Sequence, residues 1–244
     1  MVSESVRLEN LTWVEAEAAF NQYELVMIPL GARTKEHGLH LPLNNDWVMA
    51  EYLTERVAAE VPVIIMPTLQ YGYYPSFTEY PGSVTLELET FRDVVAEICL
   101  SLSNYGVKKF YVLNTGISTI RGLEPAREEL EKHGVALRFT NLLKVDEELP
   151  PILGQEGGTH ADESETSMML YIKPEIVDMA KAVKDYHPLD GRGLTRDPEN
   201  LEAGAFSVTG TYGDPTLATR EKGMVIVEAA VKEIVREIKE FIKQ

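Results

Sequence analysis

The run Gly31-Ala-Arg-Thr-Lys-Glu-His-Gly-Leu-His-Leu-Pro-Leu-Asn-Asn-Asp46 gathers Glu36, His37, His40 and Asp46 into one loop-like stretch. Imidazoles and carboxylates together are ligands that zinc, manganese and iron accept. Glu36 and His37 are adjacent and would diverge in a strand, but Gly38 supplies the backbone freedom for both to turn to one point. Asp46 could be a helix cap; Asn44 and Asn45 offer alternative caps, which frees its carboxylate for a bridging role. A second cluster, His160-Ala-Asp-Glu-Ser-Glu165, opens a helix-like segment. Asp162 and Glu165 stand three apart and share a helix face, while Glu163 points elsewhere. A helix N-terminus attracts acidic residues by its dipole alone, which accounts for Asp162 and Glu163 but not for His160. His133, in the last turn of a charged helix, and His187, in a Tyr-His-Pro turn, lack such company.

These groups need a frame. Leu25–Leu30 reads as a strand, and Asp46–Ala59 as a helix with Val48, Leu53 and Val57 at helical spacing. The alternation continues with a strand over Val61–Met66, a helix over Thr90–Tyr105 and a strand over Lys109–Leu113. A helix over Glu124–His133, ended by Gly134, leads to a strand over Val135–Phe139. An amphipathic segment over Thr12–Phe20 precedes them all, and a core-facing helix over Thr219–Ile242 closes the chain. Strands separated by helices predict a single α/β domain over residues 1–244, doubly wound, with a mostly parallel sheet and helices on both faces. Such sheets hold ligands beyond the carboxyl ends of their strands, where the first cluster falls. The long irregular stretches Gln70–Val84 and Asp185–Pro215 are of a length that is usually functional. Tyr71, Tyr73, Tyr74, Phe77 and Tyr80 in the first make a pocket wall or, equally, a plug at the sheet's mouth or a subunit contact.

Composition excludes several classes. Lys and Arg number 23 against 39 Asp and Glu, a formal charge of −16, which opposes a nucleic-acid partner. Cys99 is the lone cysteine, in an apolar helical stretch, so there is no disulfide framework or thiolate cage, and a buried thiol is expected. Neither a signal-peptide core nor an apolar run of the ~18–20 residues that cross a bilayer is present, which predicts a cytoplasmic protein with no membrane partner. No G-x-G-x-x-G or Walker-type run follows any strand, which disfavours nucleotide binding.

Four segments in order carry a resemblance. Pro29-Leu-Gly-Ala with His37-Gly-Leu-His-Leu-Pro-Leu-Asn-Asn-Asp46, Pro81-Gly-Ser-Val-Thr85, Gly158-Thr-His-Ala-Asp-Glu-Ser-Glu-Thr-Ser167 and Gly210-Thr-Tyr-Gly-Asp-Pro-Thr-Leu-Ala-Thr-Arg-Glu-Lys-Gly223 resemble motifs of the creatininase (creatinine amidohydrolase) family. The resemblance implies a doubly wound α/β fold, a mono- or dinuclear divalent-metal site, hydrolysis of cyclic or linear amides, and a hexamer or other homo-oligomer. His37 and Asp46 match metal ligands of the family. The chain departs from the pattern twice: the family's Glu two before the His falls on Lys35, and its His-bearing segment after the third strand corresponds to Asn114-Thr-Gly-Ile-Ser-Thr119, which has no His. Creatininase's active-site tryptophans have no evident counterpart, since only Trp13 and Trp47 are present, so creatinine is not the expected substrate.

The expectation is therefore a metal-dependent hydrolase of C–N bonds in a small amide. The metal shell is assigned to Glu36, His37, Asp46 and Glu165, with zinc first and manganese or iron as alternatives. His160 is assigned to protonating the leaving nitrogen, with Glu163 as base or orienter. Lys35, His40 and Asn114 are placed near the substrate; Lys35 could act as a fixed cation in place of a second metal, but a solvated surface lysine is the expected reading, since lysine is rarely buried. The rival expectation is a non-catalytic small-molecule-binding protein that kept the fold and lost part of the metal site.

Overall fold

Alternation of the β-branched and aliphatic residues decides which face of the sheet each strand residue meets. In β2 (Leu25–Leu30) and β4 (Lys109–Asn114), Leu25, Met27, Tyr111 and Leu113 face one way, and Val26, Ile28, Leu30, Phe110 and Val112 the other. The computed structural model describes residues 4–148, 151–187, 193–200, 202 and 204–244. Five parallel strands form its main sheet in the order β1 (Val6–Arg7), β3 (Ile64–Ile65), β2, β4, β5 (Ala136–Phe139). The chain leaves β2 toward one edge and returns through β4 toward the other, which is the doubly wound arrangement of a single α/β domain.

Both faces are covered. The first packs against α2 (Asn45–Ala58), α6 (Glu163–Ile172) and α7 (Arg220–Ile242), which contribute Leu53, Val57, Met169, Ala230, Ile234 and Ile238. The second packs against α1 (Trp13–Gln22), α3 (Leu88–Ser103) and α4 (Ile120–Glu131) through Ala19, Phe91, Val95, Leu123 and Leu130, with buried Cys99 among them. α5 (Leu142–Glu148) and a two-stranded pair, β6 (Leu194–Thr195) with β7 (Ala205–Phe206), complete the set. No helix among the described residues is long and apolar enough to cross a membrane.

Several boundaries differ from the sequence reading for local reasons. Val61–Met66 yields only the short β3, because Pro62 and Pro67 at its margins cannot donate to a ladder. α4 starts at Ile120, four residues before the expected Glu124, and runs through Pro125. Gly122 lets it close on α3: a Cβ there would lie 2.5 Å from the Phe91 ring. Asp46 is the second residue of α2, after the Asn44 cap position, so its carboxylate does not cap the helix. Thr12 and Thr219 cap α1 and α7 with their side chains, as helix starts of that composition do.

Candidate functional site

The loop after β2 is drawn over the start of α2 by backbone hydrogen bonds from Trp47 to Ala32 and from Lys35 to Leu43. Gly31 makes that closure possible, since a Cβ there would come within 2.3 Å of the Asp46 carbonyl. The result is burial of Lys35, Glu36, His37, His40 and Asp46 at the carboxyl end of the sheet. From the opposite side, the segment before α6 delivers His160, tied to Tyr212 by backbone hydrogen bonds in both directions. Ala161 adopts φ 48°, a turn that lets its N–H donate to Glu165 Oε2 at 2.7 Å. Two distant segments thus meet.

His37 is the centre of the cluster. Its Nδ1 lies 2.8 Å from the Lys35 carbonyl, which can only accept, so Nδ1 carries a proton. Its Nε2 faces two further acceptors, Asp46 Oδ1 at 2.7 Å and Glu165 Oε1 at 3.4 Å. A neutral imidazole with its proton on Nδ1 would point a lone pair at two carboxylates. The geometry therefore demands a positive species between them, either a second proton on the ring or a bound cation. Burial alone would lower the His37 pKa, but the Asp46 and Glu165 carboxylates outweigh it and raise it to about 9. Asp46 moves down in turn, because Lys35 and His37 overcome the effect of its burial. Glu165 lies well below the usual carboxylate range, since the cost of its burial is outweighed by His37, His160 and Lys35.

His160 Nε2 lies 3.1 Å from Glu36 Oε2, and its Nδ1 3.9 Å from Glu165 Oε2. The Phe77 ring packs on the imidazole with centroids 4.3 Å apart. One ligand atom each from His37, His160 and Glu165 lies within 4.8 Å of the others. Two imidazoles and a carboxylate at that separation suit a borderline divalent ion, and the Nδ1–H contact of His37 to a carbonyl is the outer hydrogen bond that metal-binding histidines ordinarily make. The donor set fits a metal.

The remaining expected residues are distributed unevenly. Lys35 Nζ lies 2.6 Å from Asp46 Oδ2 and over the Phe77 and Tyr74 rings, at 5.0 and 5.4 Å from their centroids. Glu36, expected in the metal shell, instead turns its carboxylate to the Gly38 N–H and His160. The positive φ of Gly38, 69°, allows that turn. His40 Nε2 is 2.8 Å from Thr166 Oγ1, its Nδ1 has no hydrogen-bond partner among the described residues, and burial lowers its pKa to about 4. It is a neutral side chain behind the cluster. Glu163 is not brought to the cluster: fully buried, its carboxylate accepts from the Gly154 and Gln155 N–H groups, both at 2.7 Å, and from Lys222 Nζ. Residues two apart on a helix face nearly opposite ways, which sends Glu163 away when Glu165 points in. Asn114 is likewise occupied, holding the loop after β4 through Gly116, Thr119 and the Thr140 carbonyl. Asp162 is the side-chain cap of α6, accepting from Glu165 N at 3.0 Å.

Sequence reasoning missed some participants. Asn45 Nδ2 donates to Glu165 Oε1 at 2.9 Å and fixes that carboxylate toward His37. Gly210, at φ 77°, lies so close to Glu36 that a Cβ would fall 2.0 Å from Oε1. In the aromatic stretch after Gln70, Tyr74, Phe77 and Tyr80 pack as a small apolar cluster, and Phe77 also lines the cleft, as the pocket-wall reading expects. That cleft, about 530 Å³, opens over Lys35, His160 and Glu165 and extends to Thr115, Arg121 and Met168. Part of the second irregular stretch lies outside the described residues.

A family model described as creatinine amidohydrolase matches residues 9–238. The creatinine amidohydrolase of Pseudomonas putida is 30% identical over 98% of each chain. A mycofactocin precursor peptide peptidase of Mycobacterium tuberculosis is 27% identical over 90% of this chain and 86% of its own. A 3-dehydro-scyllo-inosose hydrolase of Thermotoga maritima is 27% identical over 96% of this chain and 84% of its own. Among solved structures, a mutant creatininase of Zn–Zn type superposes with a TM-score of 0.80 at 27% identity, covering 98% of this chain and 99% of the other. A manganese creatininase does so with a TM-score of 0.78 at 28% identity, covering 97% and 99%.

Proposed function

The chain belongs to the creatininase family, whose matched members are hydrolases, and from that premise we propose that it is a divalent-metal-dependent amidohydrolase of a small cyclic or linear amide. The observation that carries the reading is His37: with Nδ1–H fixed on the Lys35 carbonyl, Nε2 is aimed between two carboxylates, of which Glu165 lines the cleft. Of the grouped donors, His37 and Glu165 would hold the ion together with Asp46, whose Oδ1 lies 2.7 Å from His37 Nε2, while His160, turned to Glu36, would stay off it. Zinc is the first choice, with manganese and iron as alternatives. Bound there, it supplies Lewis acidity for an amide carbonyl and lowers the pKa of water.

The chain's own residues supply the rest. Asn45 and the Ala161 N–H hold Glu165 in place, each through one of its oxygens. His160, in contact with Glu36 and open to the cleft, carries the proton that a leaving nitrogen requires. Phe77 and Tyr74 cover Lys35 and His160 and restrict water at the reacting end. A cleft of about 530 Å³ suits a small molecule. Neither tryptophan lines it: Trp13 is 78% exposed and Trp47 lies under Arg33, so creatinine is proposed to be a poor substrate.

One feature favours the rival binding-protein reading, namely that an N–H at His37 Nε2 would satisfy the same carboxylates without an ion. Assay of a panel of cyclic and linear amides, with and without chelator, separates the two. Chelator-sensitive release of amine is expected; binding without turnover of any amide would favour the rival. Creatinine turnover at ~1 s⁻¹ or above would contradict the substrate proposal.

A further inference from the structure

Asp46 has both oxygens engaged by different cations or cation sites. Oδ1 faces His37 Nε2 at 2.7 Å, on the side proposed above for the ion, and Oδ2 meets Lys35 Nζ at 2.6 Å. Lys35 is only 5% exposed, so this ammonium is a fixed internal charge and not a surface lysine. The Phe77 and Tyr74 rings face it, and the adjacent loop after β4, Asn114-Thr-Gly-Ile-Ser-Thr119, contains neither imidazole nor carboxylate. The polar groups of that loop are spent locally. Thr115 Oγ1 donates to the Leu30 and Asp46 carbonyls, and Ser118 Oγ to the Tyr73 carbonyl.

Charge makes the same point. Glu36, Asp46 and Glu165 bring three negative charges to the cluster and Lys35 one positive charge. Among these four side chains, one divalent ion brings that sum to zero. A second would leave a buried surplus of two positive charges, which a low-dielectric site resists. A family structure of Zn–Zn type holds two ions on the same fold.

We propose that the Lys35 ammonium is a resident cation standing in one of two ion positions, so that this chain takes a single divalent ion, on the His37 side of Asp46. The proposal rests on the metal-dependent reading above for its ion, but not for the role of Lys35. Lys35 then holds the Asp46 carboxylate as a second ion would, and it does so at any metal concentration.

Native mass spectrometry of the full chain loaded with Zn²⁺ counts ions per chain without reference to activity. One ion is expected in the wild type and two in Lys35→Glu, which exchanges the internal cation for a ligand. Lys35→Met guards against a failure of Lys35→Glu to fold: it should gain a second site that fills only at higher Zn²⁺, with a melting temperature that Zn²⁺ raises more than in the wild type. Two ions in the wild type overturn the proposal. So does an unchanged count in the folded Lys35 variant or variants. A wild type with no ion overturns the metal-dependent reading instead, and the variants still decide the role of Lys35: an ion gained upholds it, and none gained overturns it.

Discussion

Replacing Lys222 by Met should weaken the fold and spare the reaction. Lys222, in the first turn of α7, donates through Nζ to Glu163 and to the Leu217 carbonyl at 2.9 Å. Glu163 is fully buried, so loss of the ammonium leaves Oε1 without its cation, while Oε2 keeps the Gly154 and Gln155 N–H groups. Breaking a wholly buried ion pair costs about 3–5 kcal/mol. The Lys222 side chain is 25% exposed and two donors remain, so the cost falls at or below the low end, about 2–3 kcal/mol. For a chain of this size that is a fall in melting temperature of about 4–12 °C. Calorimetry of Lys222→Met, paired with turnover measured well below its transition, tests both halves. Glu163→Gln combined with Lys222→Met should recover part of the loss, because the stranded charge is gone. A melting temperature within ~1 °C of the wild type would refute the stability argument. A fall in kcat of ~10²-fold or more would return Glu163 to the reaction, as first expected from its position beside His160.

Three further outcomes follow from the site. His160→Ala should lower kcat by about 10²–10⁴-fold while bound metal stays at the wild-type level, read by elemental analysis; loss of the metal would place His160 among the ligands. In metal-free protein, the raised pKa of His37 contributes stability that is full below pH 6.5 and lost as pH rises through about 9, roughly 3 kcal/mol in all. Urea unfolding at pH 6 and 10 should show that fall, and a flat profile would mean that His37 is neutral in the fold. Gly210→Ala should displace Glu36 from His160, since the new methyl group would collide with Oε1 and the backbone sits at φ 77°. Its kcat should fall with little change in metal content, and wild-type turnover would contradict the Glu36–His160 pairing.

Much of the frame is legible in the chain because hydrophobic period and helix caps are local. Leu25–Leu30 and Lys109–Leu113 announce themselves as buried parallel strands, and Thr219 marks the start of α7. The first turn of α4, from Ile120, is not legible, because a close approach to Phe91 selects glycine at Gly122, where helix propensity is low. In the site, the residues that converge are those with two titratable neighbours in one loop, Glu36, His37 and Asp46, together with His160 and Glu165 from the second cluster. Which atom each one meets is not local. Glu36 turns to His160 because Gly210 leaves room and Gly38 permits the turn, and Lys35 reaches Asp46 because Phe77 and Tyr74 enclose it. Asn45 and Gly210 carry no signal for chemistry of their own: Asn45 reads as a cap, and Gly210 only opens the last of the four family-like segments. Glu163 carries a misleading signal, since an acid beside His160 looks catalytic until the helical phase sends it to Lys222.

The central claim is that His37, Asp46 and Glu165 hold the ion on which the reaction depends. An anomalous difference map at the zinc or manganese edge, from crystals of protein purified without chelator and supplied with that ion, tests it most directly. The account predicts one peak about 2.0–2.2 Å from His37 Nε2 and from carboxylate oxygens of Asp46 and Glu165, and none beside Lys35. A map with no peak at His37, or with density for the ion at the Lys35 position, would contradict it.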